Sequence, residues 1–154
     1  MALSDNIYPP VGFYFKVAID GMPDSDSEFQ ELSGLSMSLD TQSVKEAGEN
    51  RFTHQLPLPA RADPLILKRG IKISSPLAEW CRKAIEEFSF SPRNLHVFLL
   101  DVEGGSGGQP RPLVSWYLVH AYPTKWEVSG LNAMNSEVVV ETIQINYNYF
   151  RKET

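Results

Sequence analysis

The chain has 154 residues, 42% of them hydrophobic and 21% charged, with a formal net charge of -5. That is apolar material for one core and the composition of a single globular domain, 1–154, not of a disordered segment. The acidic balance, with basic residues adjacent only at Lys68-Arg69, Arg82-Lys83 and Arg151-Lys152, predicts no nucleic-acid binding, because neutralising phosphates needs a basic face.

Cys81 is the one cysteine, which excludes an internal disulfide and a Cys-based zinc site. Met1 to Asn6 carry neither the basic region nor the apolar run of a signal peptide, and no stretch approaches the length of a membrane span. The expectation is synthesis in the cytoplasm without a signal peptide, no stable membrane insertion, and exit from the cell, if any, by another route.

Taken in order, residues 1–10 form an N-terminal extension. Residues 11–20 place Phe13, Phe15, Val17 and Ile19 on one face before the turn Asp20-Gly21 and predict a strand. Met22 to Glu31 carry Asp24, Asp26, Glu28 and Glu31 and predict a solvated loop, since the ligand ladder and central glycine of a calcium loop are missing. A second strand, bent at Ser33-Gly34, alternates Leu35, Met37 and Leu39 with Ser36, Ser38 and Asp40.

Residues 44–64 hold Gly48, Pro57, Pro59 and Pro64, show no sustained period, and predict a long extended arm of the kind that is functional or disordered. A third strand follows from Leu65 to Ile73, interrupted at Gly70. Ser75 as cap and Pro76 at the first position open a helix over 76–88, with Leu77, Trp80, Cys81, Ala84, Ile85 and Phe88 on one face. Residues 95–102 and 113–122 predict two strands joined by the Gly-rich hairpin loop 103–112, with Pro123 ending the second. Lys125 to Val128 predict a short separate strand.

The final stretch, 136–150, becomes strictly alternating at Thr142. Ile143, Ile145, Tyr147 and Tyr149 point one way, and Thr142, Gln144, Asn146 and Asn148 the other. The polar face carries amides and a hydroxyl but no charge, unlike an ordinary outer surface. About seven short strands and one helix predict a mainly β fold, a small antiparallel barrel or sandwich with one flanking helix.

No constellation predicts catalysis, a metal or a cofactor. His54, His96 and His120 lie in different elements without metal-ligand spacing; His96 and His120 are expected to face each other across the Gly-rich hairpin. Cys81 shares the apolar helix face, so a buried structural role is expected. Glu137 and Glu141 approach the apolar side of the last strand about 13 Å apart, too far for a glycosidase pair, and pairing with Lys68, Arg69 or a neighbouring subunit is expected instead. The three tryptophans, Trp80, Trp116 and Trp126, would also suit a small-ligand-binding barrel.

Several segments, in order, resemble the tail-tube proteins of contractile phages and phage-derived injection systems, which are related to type VI secretion tubes. They are 15–21 (Phe-Lys-Val-Ala-Ile-Asp-Gly), 29–35 (Phe-Gln-Glu-Leu-Ser-Gly-Leu), 46–50 (Glu-Ala-Gly-Glu-Asn), 65–70 (Leu-Ile-Leu-Lys-Arg-Gly), and 122–142 from Tyr-Pro-Thr-Lys-Trp to Glu141-Thr142. The resemblance implies a non-enzymatic subunit that forms homo-hexameric rings with one continuous inner β-barrel. Such rings stack into a rigid tube that a contracting sheath drives through a target envelope.

It also implies sheath protein, baseplate or spike-proximal tube-like paralogues, and cargo in the lumen as partners, with DNA passing through if the particle is a phage, and a final location in the assembled particle. Under that resemblance Ser36, Ser38, Asp40, Thr142, Gln144, Asn146 and Asn148 are expected to face the lumen. Glu46, Glu49, Arg51 and Arg61 of the arm are expected to meet neighbouring subunits or rings. The 1–10 start and the 103–112 loop do not map onto a main-tube pattern, which leaves a tube-like baseplate adaptor as the alternative.

Overall fold

The computed structural model describes residues 13–23, 29–101, 111–134 and 137–153. The expected extension 1–10, the acids Asp24, Asp26 and Glu28, and residues 103–110 of the Gly-rich loop lie outside the described residues.

Among the described residues the order is β1 (Phe13–Ile19), β2 (Glu31–Ser33), β3 (Met37–Val44), β4 (His54–Ala62), β5 (Leu65–Gly70), α1 (Pro76–Glu86), β6 (Arg93–Asp101), β7 (Arg111–Val128), β8 (Val140–Asn146) and β9 (Tyr149–Glu153). All pairings are antiparallel. One sheet runs β1-β6-β7-β8-β5-β2, with β9 also on β7, and β3-β4 form a two-stranded ribbon.

β7 organises the molecule. Its first part pairs with β6 and β9, its last part, Tyr122–Val128, with β8. The strand therefore does not stop at Pro123. The register shifts between Pro123 and Lys125, so the proline sits beside an irregularity and Lys125–Val128 continue the same strand. Just upstream, His120 has φ 57, and its N–H donates to Asn94 Oδ1 (3.1 Å). This twist puts Leu118 and Ala121, three apart, both in the core.

The two arms of the sheet close on one core: Val17 and Ile19 of β1, Leu95 and Val97 of β6, Leu65 and Leu67 of β5, Ile143 and Ile145 of β8, with Leu77, Trp80 and Cys81 of α1. Each fully buried aliphatic side chain here contributes about 1.5–3 kcal/mol. α1 starts as expected: Ser75 Oγ accepts from the Ala78 N–H (3.3 Å) and Pro76 follows the cap. It ends earlier. Leu77, Trp80, Cys81 and Ala84 are buried, but Ile85 is half-exposed and Phe88 is largely exposed, because Phe88 leaves the helix with φ 52.

The arm expected over 44–64 is in part paired structure. Its residues 54–62 are β4, hydrogen-bonded to Met37–Val44. The expected final strand is also divided: strict alternation holds through Tyr147, then Asn148 N–H donates to Val119 O (3.0 Å) and β9 continues along the same edge of β7 that β8 occupies, with Phe150 packed against the core. Tyr149 is half-exposed instead of sharing the buried face with Ile145.

Candidate assembly and wall surfaces

On β5 the buried positions are Leu65, Leu67 and Arg69, and on β8 they are Glu141, Ile143 and Ile145, followed just beyond its end by Tyr147. The inward alternation thus ends in two charges that face each other in register. Arg69 Nε donates to Glu141 Oε2 at 2.8 Å, and both side chains are 1% exposed. Arg69 Nη2 donates to Ser75 Oγ (2.8 Å), and Trp126 Nε1 donates to Glu141 Oε1. The helix cap, β5, β8 and the end of β7 are therefore tied by one buried polar clamp, whose charges are tolerated because their hydrogen bonds are made within it. Glu141 pairs with Arg69 as expected, and Lys68 pairs with Glu31 (3.4 Å).

The opposite face of β2-β5-β8-β7 is wet. Register sets Glu31 beside Lys68, Lys68 beside Thr142, and Thr142 beside Glu127. A second row runs Ser33, Ile66, Gln144, Lys125. Thr142 and Gln144 thus lie on the wet side as a neutral centre, but they are flanked by charges. Lys125 and Glu127 are paired at 3.0 Å. Asn146 belongs to this face beside Tyr122, yet its Oδ1 is buried without a hydrogen-bond partner. Asn148 lies at the turn and is exposed.

The β3-β4 ribbon carries two unlike faces. Past Gly34, Leu35 and Ala62 pack against the core, so Met37, Leu39 and Ala60, which share their side by register, continue the core-facing surface outward. A shift between Leu39 and Thr41 keeps Val44 on that side with Leu56 and Leu58. Leu39 is 59% and Leu56 51% exposed. The other face carries Ser38, Asp40, Thr41, Ser43, Gln55 and Arg61. Arg61 pairs with Asp40 (3.5 Å), and Gln55 Nε2 donates to Ser43 Oγ (2.8 Å). Ser36 lies exposed just before β3.

The parity change at the base depends on Gly34, with φ 85 and an added Cβ only 2.1 Å from Pro64 O. Tyr147 Oη braces the same bend, donating to Gly34 O (3.4 Å) and Ser36 O (3.5 Å); burial pushes its phenol up. At the ribbon's far end Glu49 chelates Arg51 (3.0 and 3.1 Å), whose hydrogen bonds hold the Glu49 carboxyl below the usual carboxylate range. Glu46 bonds His54 (3.0 Å). Arg61, grouped with these by sequence, sits at the base on the polar face.

The expected His96–His120 pair does not form: register places His96 opposite Tyr117, 4.6 Å between ring centroids. Cys81 is fully buried, and burial, then the nearby Glu141 charge, pushes its thiol up to about 12. Among the described residues no cluster of His, Cys, Asp or Glu is placed to hold a metal ion, and no helix is long and apolar enough to cross a membrane.

Sequence reasoning missed the ribbon's apolar face. Its signal was present in the alternation Leu56, Leu58, Ala60, Ala62, interleaved with Pro57 and Pro59. It also missed the charges flanking β8, which only strand pairing brings together.

Among the described residues this is a mainly β, antiparallel chain with an exposed apolar ribbon face and strand edges at the ends of its sheet path. Residues 11–151 match the family described as T4-like virus tail tube protein gp19, and the chain belongs to that family. It is a structural tube subunit and not an enzyme. No curated protein sequence matches it.

Among solved structures, a chain of the anti-feeding prophage baseplate is 26% identical with a TM-score of 0.76, covering 95% of this chain and 96% of that one. A chain of the PVC extracellular contractile injection system, in its extended sheath-tube complex, is 19% identical with a TM-score of 0.77 over 96% and 93%. A type six secretion system protein shares the fold at 13% identity and a TM-score of 0.57, over 90% and 81%.

Proposed function

We infer that the chain, as one domain, forms hexameric rings that stack into the hollow inner tube of a contractile injection particle. The observation that carries this reading is the ribbon: Leu39, Leu56 and Leu58 continue the core-facing side but have no layer over them among the described residues. Exposed apolar strands invite aggregation unless a specific partner covers them. A second copy, met head to tail, covers them in a closed ring.

The sheet supports the same geometry. β2 ends the strand path, and Tyr122–Val128 of β7 pair only with β8 among the described residues. Two free edges on opposite sides of β2-β5-β8-β7 let neighbouring copies join strand to strand. Four strands from each of six copies give a backbone diameter of about 40 to 50 Å.

The wet face then lines the bore, with Ser36, Ser38, Asp40, Thr142, Gln144 and Asn146 on its wall and Asn148 at its rim. Glu46, Glu49 and Arg51 at the ribbon tip meet the next subunit or ring, with Arg61 at its base. Sheath protein surrounds the tube, spike-proximal paralogues end it and cargo occupies it; the likeness to chains of the sheath-tube and cap assemblies supports this. The particle works outside the cell that makes it. The likeness to a chain of a baseplate assembly favours a second reading, a tube-like adaptor between tube and spike. Electron microscopy of the purified protein at high concentration tests both: stacks support the main tube, single rings the adaptor, and a monomer neither.

A further inference from the structure

The wet face holds exposed charges in opposite pairs. Glu31 faces Lys68 at 3.4 Å, Asp40 faces Arg61 at 3.5 Å, and Glu127 faces Lys125 at 3.0 Å. The strands between them contribute hydroxyls and amides. A chain with net charge -5 has thus placed three acids and three bases on this face, each within reach of its opposite.

We propose that this surface is a charge-compensated wall, and that the cargo it suits is polypeptide of either net charge, selected by size and not held by electrostatics. The proposal rests on the wet face lining the bore. Three physical points carry it. A cargo group meeting the wall sees neighbouring opposite charges whose fields cancel within a few ångströms, and salt screens what remains. Register fixes Lys68 between Glu31 and Thr142, so the pairing is built into the sheet. Repetition around a ring multiplies any imbalance, so one unpaired charge per copy would make a charged bore.

The test uses assembled tubes formed with two fluorescent folded proteins of matched size and opposite net charge. Retention is read by co-sedimentation at about 0.01 M salt, where the screening length is about 30 Å. Wild-type tubes retain the two proteins equally. Lys68→Gln leaves Glu31 unopposed on every copy and raises retention of the cationic protein at least about fivefold over the anionic one. Glu31→Gln gives the mirror preference, and the double variant returns to parity. Lys125→Gln, which leaves Glu127 unopposed, repeats the cationic preference at a second place on the face.

Both preferences collapse at about 1 M salt. Wild-type tubes that hold one sign of cargo, or single variants that behave as wild type, overturn the proposal while the tube assignment stands. Wild-type protein that forms no ring or tube overturns the tube assignment, and this inference with it.

Discussion

Arg69 and Glu141 show how one buried pair ties strand register to the helix cap. They occupy inward positions among aliphatic neighbours at 1% exposure, and their hydrogen bonds reach the helix cap and Trp126. Removing one partner strands a buried charge. Glu141→Leu is therefore expected to destabilise the chain by about 3–5 kcal/mol in urea unfolding, and Arg69→Met/Glu141→Leu together by much less. Equal losses in the single and double variants would show that the pair is not the source of the cost.

Cys81 gives a second check at this scale. Because its thiol is pushed up to about 12, it stays protonated at pH 8. It should react with a thiol reagent far more slowly than a free cysteine until the chain unfolds, since the thiolate is the reactive form. Burial of Cys81 was legible from the helix face it shares with Leu77 and Ala84. The Arg69–Glu141 pairing was legible only as a choice among cations, since which one lies opposite is a matter of strand register.

At the scale of elements, what the sequence concealed were the places where one strand serves two surfaces. Thr142 to Tyr147 could be read because the alternation is local and one face is buried. Asn148 and Tyr149 could not: the alternation continues on paper, while the ladder to β7 is interrupted at Tyr147 and Asn148 and resumes with Phe150 facing the core. Pro123 looks like a strand end, but a register shift accommodates it. Pro57 and Pro59 hid β4, although prolines are tolerated on a ribbon with a free edge.

The bend that makes the ribbon's faces differ depends on Gly34, where positive φ and the approach to Pro64 O leave no room for a side chain. Gly34→Val should cost at least about 1–3 kcal/mol in thermal or urea unfolding. A variant as stable as wild type would mean that the bend relaxes freely, and the assignment of Ser38 and Asp40 to the wet side would lose its basis.

At the scale of the whole molecule, the apolar ribbon face and the two sheet edges left unpaired among the described residues are costs for an isolated chain and requirements for a ring. A substitution there separates folding from association. Leu39→Asp and Leu56→Asp lie on exposed positions, so each should change unfolding stability by no more than about 0.5 kcal/mol. Ring formation, read by sedimentation velocity, should be lost. Ile145→Asp, by contrast, places an unpartnered charge in the core and should prevent folding altogether. If Leu39→Asp assembled as wild type does, the ribbon would not be the contact between copies.

The most direct measurement of the central claim is an electron cryomicroscopy reconstruction of the assembled protein. The account predicts six-fold rings in which the apolar side of the ribbon lies against a neighbouring copy, while Ser38, Asp40, Thr142 and Gln144 face a common bore. A protein that stays monomeric at high concentration, or rings in which that polar face points outward, would contradict it.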